Sequence, residues 1–187
     1  MMDIESNRIV HYPTDVLAER AKPVEKIDEN IHRLVEKMTD IMLKNGGIGM
    51  AGPQIGVPLR LFIISPDASR KGVKVYINPT VTPTSKPESI SEGCLSVPGV
   101  YAKIRRYEKC TVTATDLEGN EFSEEAEGLL ARVLQHESDH INGLTIVNRM
   151  SQAAKIVHRK QLKKLKEDHE KAARAQESAK EHKSKKA

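Results

Sequence analysis

The chain contains no tryptophan and only two phenylalanines and four tyrosines among its 187 residues, so its core must be built from aliphatic side chains. Cysteine is equally scarce, with Cys94 and Cys110 the only two. A small secreted domain held by disulfides needs more, so the pair read as thiols or metal ligands in a reducing compartment rather than as a framework. No apolar run approaches the roughly eighteen residues that a membrane-spanning helix needs. The start, Met1-Met2-Asp3-Ile4-Glu5-Ser6, carries acids and no apolar stretch, which suits neither a secretory leader nor an Arg-rich transit peptide. The expectation is a cytoplasmic protein with no membrane partner.

Charge, by contrast, is abundant and unevenly spread. Residues 1–150 hold 18 Lys or Arg against 21 Asp or Glu, a net of −3, whereas residues 151–187 hold 12 against 5, a net of +7. The overall +4 therefore belongs to the tail, and specific DNA binding by the body is not expected. The length suits one domain with its own core plus an appendage. The boundaries read as a body over residues 1–150 and a basic helical C-terminal extension over residues 151–187, with a disordered end.

Hydrophobic spacing organises the body. Ile31, Leu34, Val35, Met38, Ile41 and Met42 recur at three-and-four spacing and predict a helix over 28–43, closed by Asn45-Gly46-Gly47. A Gly/Pro-rich loop is expected through Pro58, then a strand over 59–64, a second over 73–77 ending at Asn78-Pro79, and an irregular, partly extended stretch over 81–87. Alternation of Cys110, Val112 and Ala114 with three threonines predicts a strand over 108–115, with a turn at 116–120 and a hairpin partner over 121–125. A helix is predicted over 127–142, with Leu129, Leu130, Val133, Leu134 and Ile141 on its apolar face, and another from Ser151 to about Lys180.

His136-Glu137-Ser138-Asp139-His140 lies on the 127–142 helix. Four helical residues advance a side chain by about 400°, leaving the two histidines roughly 40° apart and about 6 Å apart along the axis. Both imidazoles can then bind one ion, and Glu137, about 100° round from His136, can reach a water without being a ligand. The alternative is a polar helix surface on which two histidines coincide. No further His or Glu downstream offers a convincing third ligand. Upstream, Glu92-Gly93-Cys94-Leu95-Ser96 places a cysteine in a loop; Cys plus two His leaves a tetrahedral ion one open position, as catalysis requires. Cys94 could instead be a small buried hydrophobe, which is the reading for Cys110 inside its strand pattern. A third element, Gly47-Ile48-Gly49-Met50-Ala51-Gly52-Pro53-Gln54, follows a helix instead of opening one, so it is no dinucleotide fingerprint. By itself it reads as a tight connection that allows close backbone approach and ends in a side-chain amide donor.

Together, the three segments resemble the peptide deformylase family, whose motifs Gly-x-Gly-x-Ala-Ala-x-Gln, Glu-Gly-Cys-Leu-Ser and His-Glu-x-x-His occur in this order. Ile9-Val10-His11-Tyr12-Pro13, Pro23-Val24, Gln135, Asp139 and Gly143 agree as well, and the resemblance spans about residues 8–150. It implies an α+β fold with antiparallel β-sheets around a central metal-binding helix, flanked by N-terminal and C-terminal helices. It implies Cys94, His136 and His140 as ligands of one divalent ion, usually Fe2+, with Zn2+ or Ni2+ as alternatives. Glu137 would be general base and then acid, and the Gln54 amide and Leu95 backbone N–H would hold the oxyanion. The implied reaction is hydrolysis of the N-formyl group from formylmethionyl nascent peptides, releasing formate. The peptide would pair as an added strand with Gly49 and the backbone of residues 90–92, and Ile48 and Val133 would line the Met pocket.

One departure stands out: Gly52 replaces the motif's second alanine, which is expected to add backbone freedom beside Gln54. Arg106 reads as a solvated strand-end arginine, with support of the metal site as the alternative. The basic extension reads either as a solvated helix or as a dock on the ribosome, where formylated chains emerge. Two rivals to a deformylase are a zinc endopeptidase and a binding protein without chemistry. The Cys in the ligand set argues against the first, and the presence of Glu137 and Cys94 against the second.

Overall fold

A computed structural model describes residues 8–184. Expectations about the first six residues fall outside that span, as does the part of the disorder expected over the last ten residues that lies on 185–187; residues 178–184 are helical instead. Helix α1 (Glu29–Lys44) begins where Asp28 accepts hydrogen bonds from the Asn30 and Ile31 amides at 3.0 and 3.3 Å, which satisfies two orphan donors of its first turn. Ile31, Leu34, Val35, Met38 and Met42 form its buried face, each contributing about 1.5–3 kcal/mol by leaving water.

The body holds two antiparallel sheets. Five strands, β1 (Gly49–Ala51), β2 (Leu61–Ile64), β3 (Lys74–Pro83), β6 (Lys109–Thr115) and β7 (Glu121–Glu127), pair in the order β1-β2-β3-β6-β7. The other two, β4 (Pro87–Glu92) and β5 (Ala102–Tyr107), pair only with each other, Ile90 opposite Ile104 and Glu92 opposite Ala102. Helix α2 (Gly128–Ile141) lies between them. Ala131, Leu134 and Ile141 pack in one cluster with Phe62, Ile64, Tyr76 and Val112 of the five-stranded sheet. Cys110 belongs to that cluster as a buried hydrophobe, and burial pushes its thiol up to about 11.

Three strand expectations are corrected. The Gly/Pro-rich segment is not all loop: residues 49–51 form β1, at the edge of the large sheet beside β2. The strand expected to end at Asn78-Pro79 continues to Pro83 through a bulge. Asn78 adopts a positive φ of 51°, which asparagine tolerates better than most residues, and its amide exchanges two 2.9 Å hydrogen bonds with the Val24 backbone. The hydrophobic pattern gave no bounds for β4 and β5, of which only a strand end at Arg106 and a pairing backbone at residues 90–92 were expected. On α2, Leu129 was expected on the buried face but is 55% exposed, standing at the rim of a cleft.

Beyond α2 come α3 (Ile146–Arg149), α4 (Gln152–Val157) and α5 (Arg159–Ser184), so the single helix expected from Ser151 is broken at His158 and runs on past Lys180. Leu162 and Leu165 of α5, with Ala154 of α4, pack on a third cluster formed by Val97, Val100, Ile104, Ile146 and Met150. Lysines 160, 163, 164 and 166 stay exposed.

Candidate metal centre and substrate cleft

Because α2 is pinned by its apolar side, its other side carries the polar residues toward β4 and β5. His136 and His140 stand one turn apart with ring centroids 5.1 Å from each other and planes 70° apart. Cys94 arrives from the loop after β4, which is tied down by hydrogen bonds from Val97 N to Cys94 O at 2.9 Å and from Tyr12 N to Ser96 O at 2.8 Å. Its Sγ lies 3.2 Å from His140 Nε2, and one donor atom from each of the three residues falls within 4.8 Å of the others. Tetrahedral metal–sulfur and metal–nitrogen bonds of about 2.3 and 2.1 Å put donors about 3.4–3.6 Å apart, so this cluster fits a single ion. Glu137 Oε2, on a residue that follows His136 directly, is buried with no hydrogen-bond partner among the described residues.

Behind the histidines runs a line of buried charges. His136 Nδ1 lies 3.1 Å from Glu92 Oε2. Burial pushes the Glu92 carboxyl up, but hydrogen bonds from His136 and Arg106 outweigh it and hold the group below its ordinary range, hence ionised. An ionised carboxylate only accepts, so Nδ1–H donates and Nε2 is left for an ion. Arg106 donates to Glu92 from Nε and Nη2, both at 3.1 Å, and Nη1 meets Asp139 Oδ2 at 2.5 Å. Arg149 of α3 holds Asp139 from the far side at 2.5 and 3.0 Å. The solvated reading of Arg106 is therefore wrong: it is 3% exposed, and two carboxylates overcome its burial and keep it charged.

Glu137 is buried beside the cluster, and that burial, partly opposed by His136 and Arg106, pushes its carboxyl up to about 7. Its neighbour across the cleft is β1. A methyl placed on Gly49 would lie 2.5 Å from Glu137 Oε1 and 2.7 Å from Val133 Cγ1, so only glycine lets the carboxylate lie against the strand. Gln54 is clamped as well. Its Oε1 accepts from Ala51 N at 2.8 Å, which turns Nε2 toward Cys94 Sγ, 3.6 Å away. The Leu95 amide has no hydrogen-bond partner among the described residues.

Ile48, Gly49, Gln54, Cys94, Leu95, Val133, His136 and Glu137 all line one cleft of about 560 Å³, with His140 immediately behind Cys94. The residues proposed from the sequence as ligands, catalytic groups and pocket wall thus converge here. Sequence reasoning missed Glu92 as the partner of His136, although it sits two residues before Cys94. It also missed the Asp139–Arg149 pair and the cleft-lining Leu129 and Arg132. Arg106 carried a usable signal, since it lies in phase with the buried Ala102 and Ile104 of β5.

A family model described as polypeptide deformylase matches residues 6–155. The peptide deformylase of Neisseria gonorrhoeae is 41% identical over 144 residues, 77% of this chain and 86% of that protein. A peptide deformylase crystal structure from Legionella pneumophila superposes with a TM-score of 0.81 at 41% identity, covering 87% of this chain and 96% of that one. The enzyme of Plasmodium falciparum gives 0.84 at 31% identity, covering 87% and 97%.

Proposed function

The chain belongs to the polypeptide deformylase family, and on that premise we propose which of its residues carry the reaction. It is a metal-dependent hydrolase of protein synthesis that removes the N-formyl group from the N-terminal formylmethionine of nascent peptides. The carrying observation is the gathering of Cys94, His136 and His140 within 4.8 Å, with the buried Glu137 beside them.

In this reading Cys94 Sγ, His136 Nε2 and His140 Nε2 hold one divalent ion, Fe2+ in first place with Zn2+ or Ni2+ as alternatives, since thiolate and imidazole suit several late transition metals. Such an ion supplies a Lewis acid for the formyl oxygen and makes a water more acidic. Glu137 takes a proton from the attacking water through its unpaired oxygen and passes it to the peptide nitrogen as the C–N bond breaks, so formate and a free amine leave together. Gln54 Nε2 and the Leu95 N–H donate to the oxygen that gains charge. The free edges of β1 and β4 receive the peptide as an added strand at Gly49 and residues 90–92. Ile48, Val133 and Leu129 supply the apolar wall for the methionine side chain.

The protein works in the cytoplasm, with residues 1–150 as catalytic body and residues 151–187 as an extension whose exposed lysines dock at the ribosome. Formate release from formyl-Met-Ala-Ser, with protein purified without oxygen, tests the chemistry. Glu137→Ala is expected to lose turnover while retaining about one ion per chain; turnover by this variant equal to that of the parent would refute the role of Glu137. Reversing Lys160, Lys163 and Lys164 to glutamate is expected to weaken co-sedimentation with ribosomes at low salt, and unchanged co-sedimentation would dispose of the dock.

A further inference from the structure

Gly52 lies buried at the start of the 3-10 turn Gly52–Ile55, and the space where a side chain would stand is occupied by backbone. A methyl on its Cα would lie 2.8 Å from Val57 O, 3.1 Å from Leu59 O and 3.7 Å from Leu61 O. These oxygens have little room to retreat. Val57 N donates to Gly52 O at 3.0 Å, Leu59 N to Val57 O at 2.8 Å and Leu61 N to Leu59 O at 2.9 Å. The run is tied from outside too, since Lys22 N donates to Pro58 O at 2.8 Å and Arg60 N to Lys22 O at 2.7 Å. The freedom expected of a glycine here is absent.

On the other side, the residue before Gly52 supplies the amide that holds the Gln54 side chain, Ala51 N to Oε1 at 2.8 Å. Val10 N fixes the Gln54 carbonyl at 2.9 Å. Displacing the backbone at Gly52 therefore displaces both the Ala51 amide and Gln54, and with them the direction of Nε2 toward Cys94.

We infer that Gly52 is a positioning residue for the oxyanion donor: its missing side chain lets the Val57–Leu61 backbone close against the turn and aim Gln54 Nε2 into the cleft. The inference rests on the oxyanion role proposed above for Gln54. It has an unintuitive consequence. Restoring alanine, as in the motif this chain resembles, impairs the enzyme instead of improving it.

Four metal-loaded proteins test this: the parent, Gly52→Ala, Gln54→Ala and the double variant, each assayed for kcat and KM with formyl-Met-Ala-Ser well below its thermal midpoint. Gly52→Ala is expected to lower kcat by about ten- to a hundredfold, as small misplacements of a catalytic donor do, with KM and metal content nearly unchanged. In the Gln54→Ala background the same change costs less than about twofold, because the two act through one group. Equal losses in both backgrounds would overturn the positioning role, as would an unaffected Gly52→Ala enzyme beside an impaired Gln54→Ala one. An undiminished kcat in Gln54→Ala would overturn the Gln54 assignment and this role with it. Should Gly52→Ala not fold, Pro58→Gly frees the same carbonyls without filling the space. It is expected to lower kcat in the parent and not in the Gln54→Ala background; the reverse pattern refutes the inference.

Discussion

The two sheets hold the same helix by opposite means. Against the five-stranded sheet, α2 places Ala131, Leu134 and Ile141 in an apolar cluster that includes Phe62, Tyr76 and Val112. Against the β4–β5 pair it places Arg132, Gln135, His136 and Asp139, which meet Glu88, the Tyr107 backbone, Glu92 and Arg106 through hydrogen bonds and ion pairs. Apolar packing is non-directional and sets where the helix lies. Charged hydrogen bonds are directional, and they set how the imidazole of His136 is turned. Both faces stabilise the helix, but only the charged one also fixes the direction of the site's groups.

That contrast can be broken most severely at Arg106. Arg106→Met leaves Glu92 and Asp139 buried without their shared partner, and is expected to cost about 3–5 kcal/mol in urea unfolding and to lower metal content per folded chain. Leu134→Ala attacks the opposite face. It should cost about 2–5 kcal/mol by opening a cavity, yet leave metal content and turnover per folded molecule as in the parent, measured by the same unfolding series and metal analysis. Equal metal loss in both variants would erase the distinction between the faces.

Glu92→Gln sharpens the comparison, since it keeps the shape and removes the charge. Metal affinity should fall about 10–100-fold in a chelator competition, because the support behind His136 is weakened. The pH dependence has a definite sign. Glu92 is held below its ordinary value of 4.5 in the fold, so its contribution to stability is present above that pH and is lost as the pH falls through the depressed value. The stability gap between parent and Glu92→Gln should therefore be widest near neutrality and should narrow in acid, as read by urea midpoints across that range. The smallest effect is expected at Leu129→Ala. This half-exposed residue belongs to neither set of contacts, so the thermal midpoint should hardly move, a change within about 0.5 kcal/mol. KM for formyl-Met-Ala-Ser should nevertheless rise by up to about tenfold through lost contact at the cleft wall.

Legibility in the sequence followed the same line. The apolar stripes of α1 and α2 and the alternation of β6 show plainly, because each repeats with the period of its own backbone. The bounds of β4 and β5 escaped notice for a physical reason. Pro87-Glu-Ser-Ile-Ser-Glu92 has a single large apolar residue, and the third inward position of β5 is a charged Arg106. A charge at an inward position looks like solvent exposure until its partners are known. β1 is three residues long and takes its identity from pairing with β2, not from composition. Gly52 misled in the same manner, since a glycine suggests freedom until the carbonyls around it are located.

The sequence by itself determined that His136 and His140 share one face with Glu137 beside them, because helical geometry acts over four residues and needs nothing else. It determined too that the basic charge lies beyond the body. Only the tertiary structure decided that Cys94 Sγ comes to 3.2 Å from His140, that Glu92 turns His136, and that Arg106 is buried between two carboxylates. These contacts join residues 14 to 46 positions apart. Their distances depend on how the sheets pack on α2, and burial is what turns ordinary side chains into a centre with fixed charge and direction.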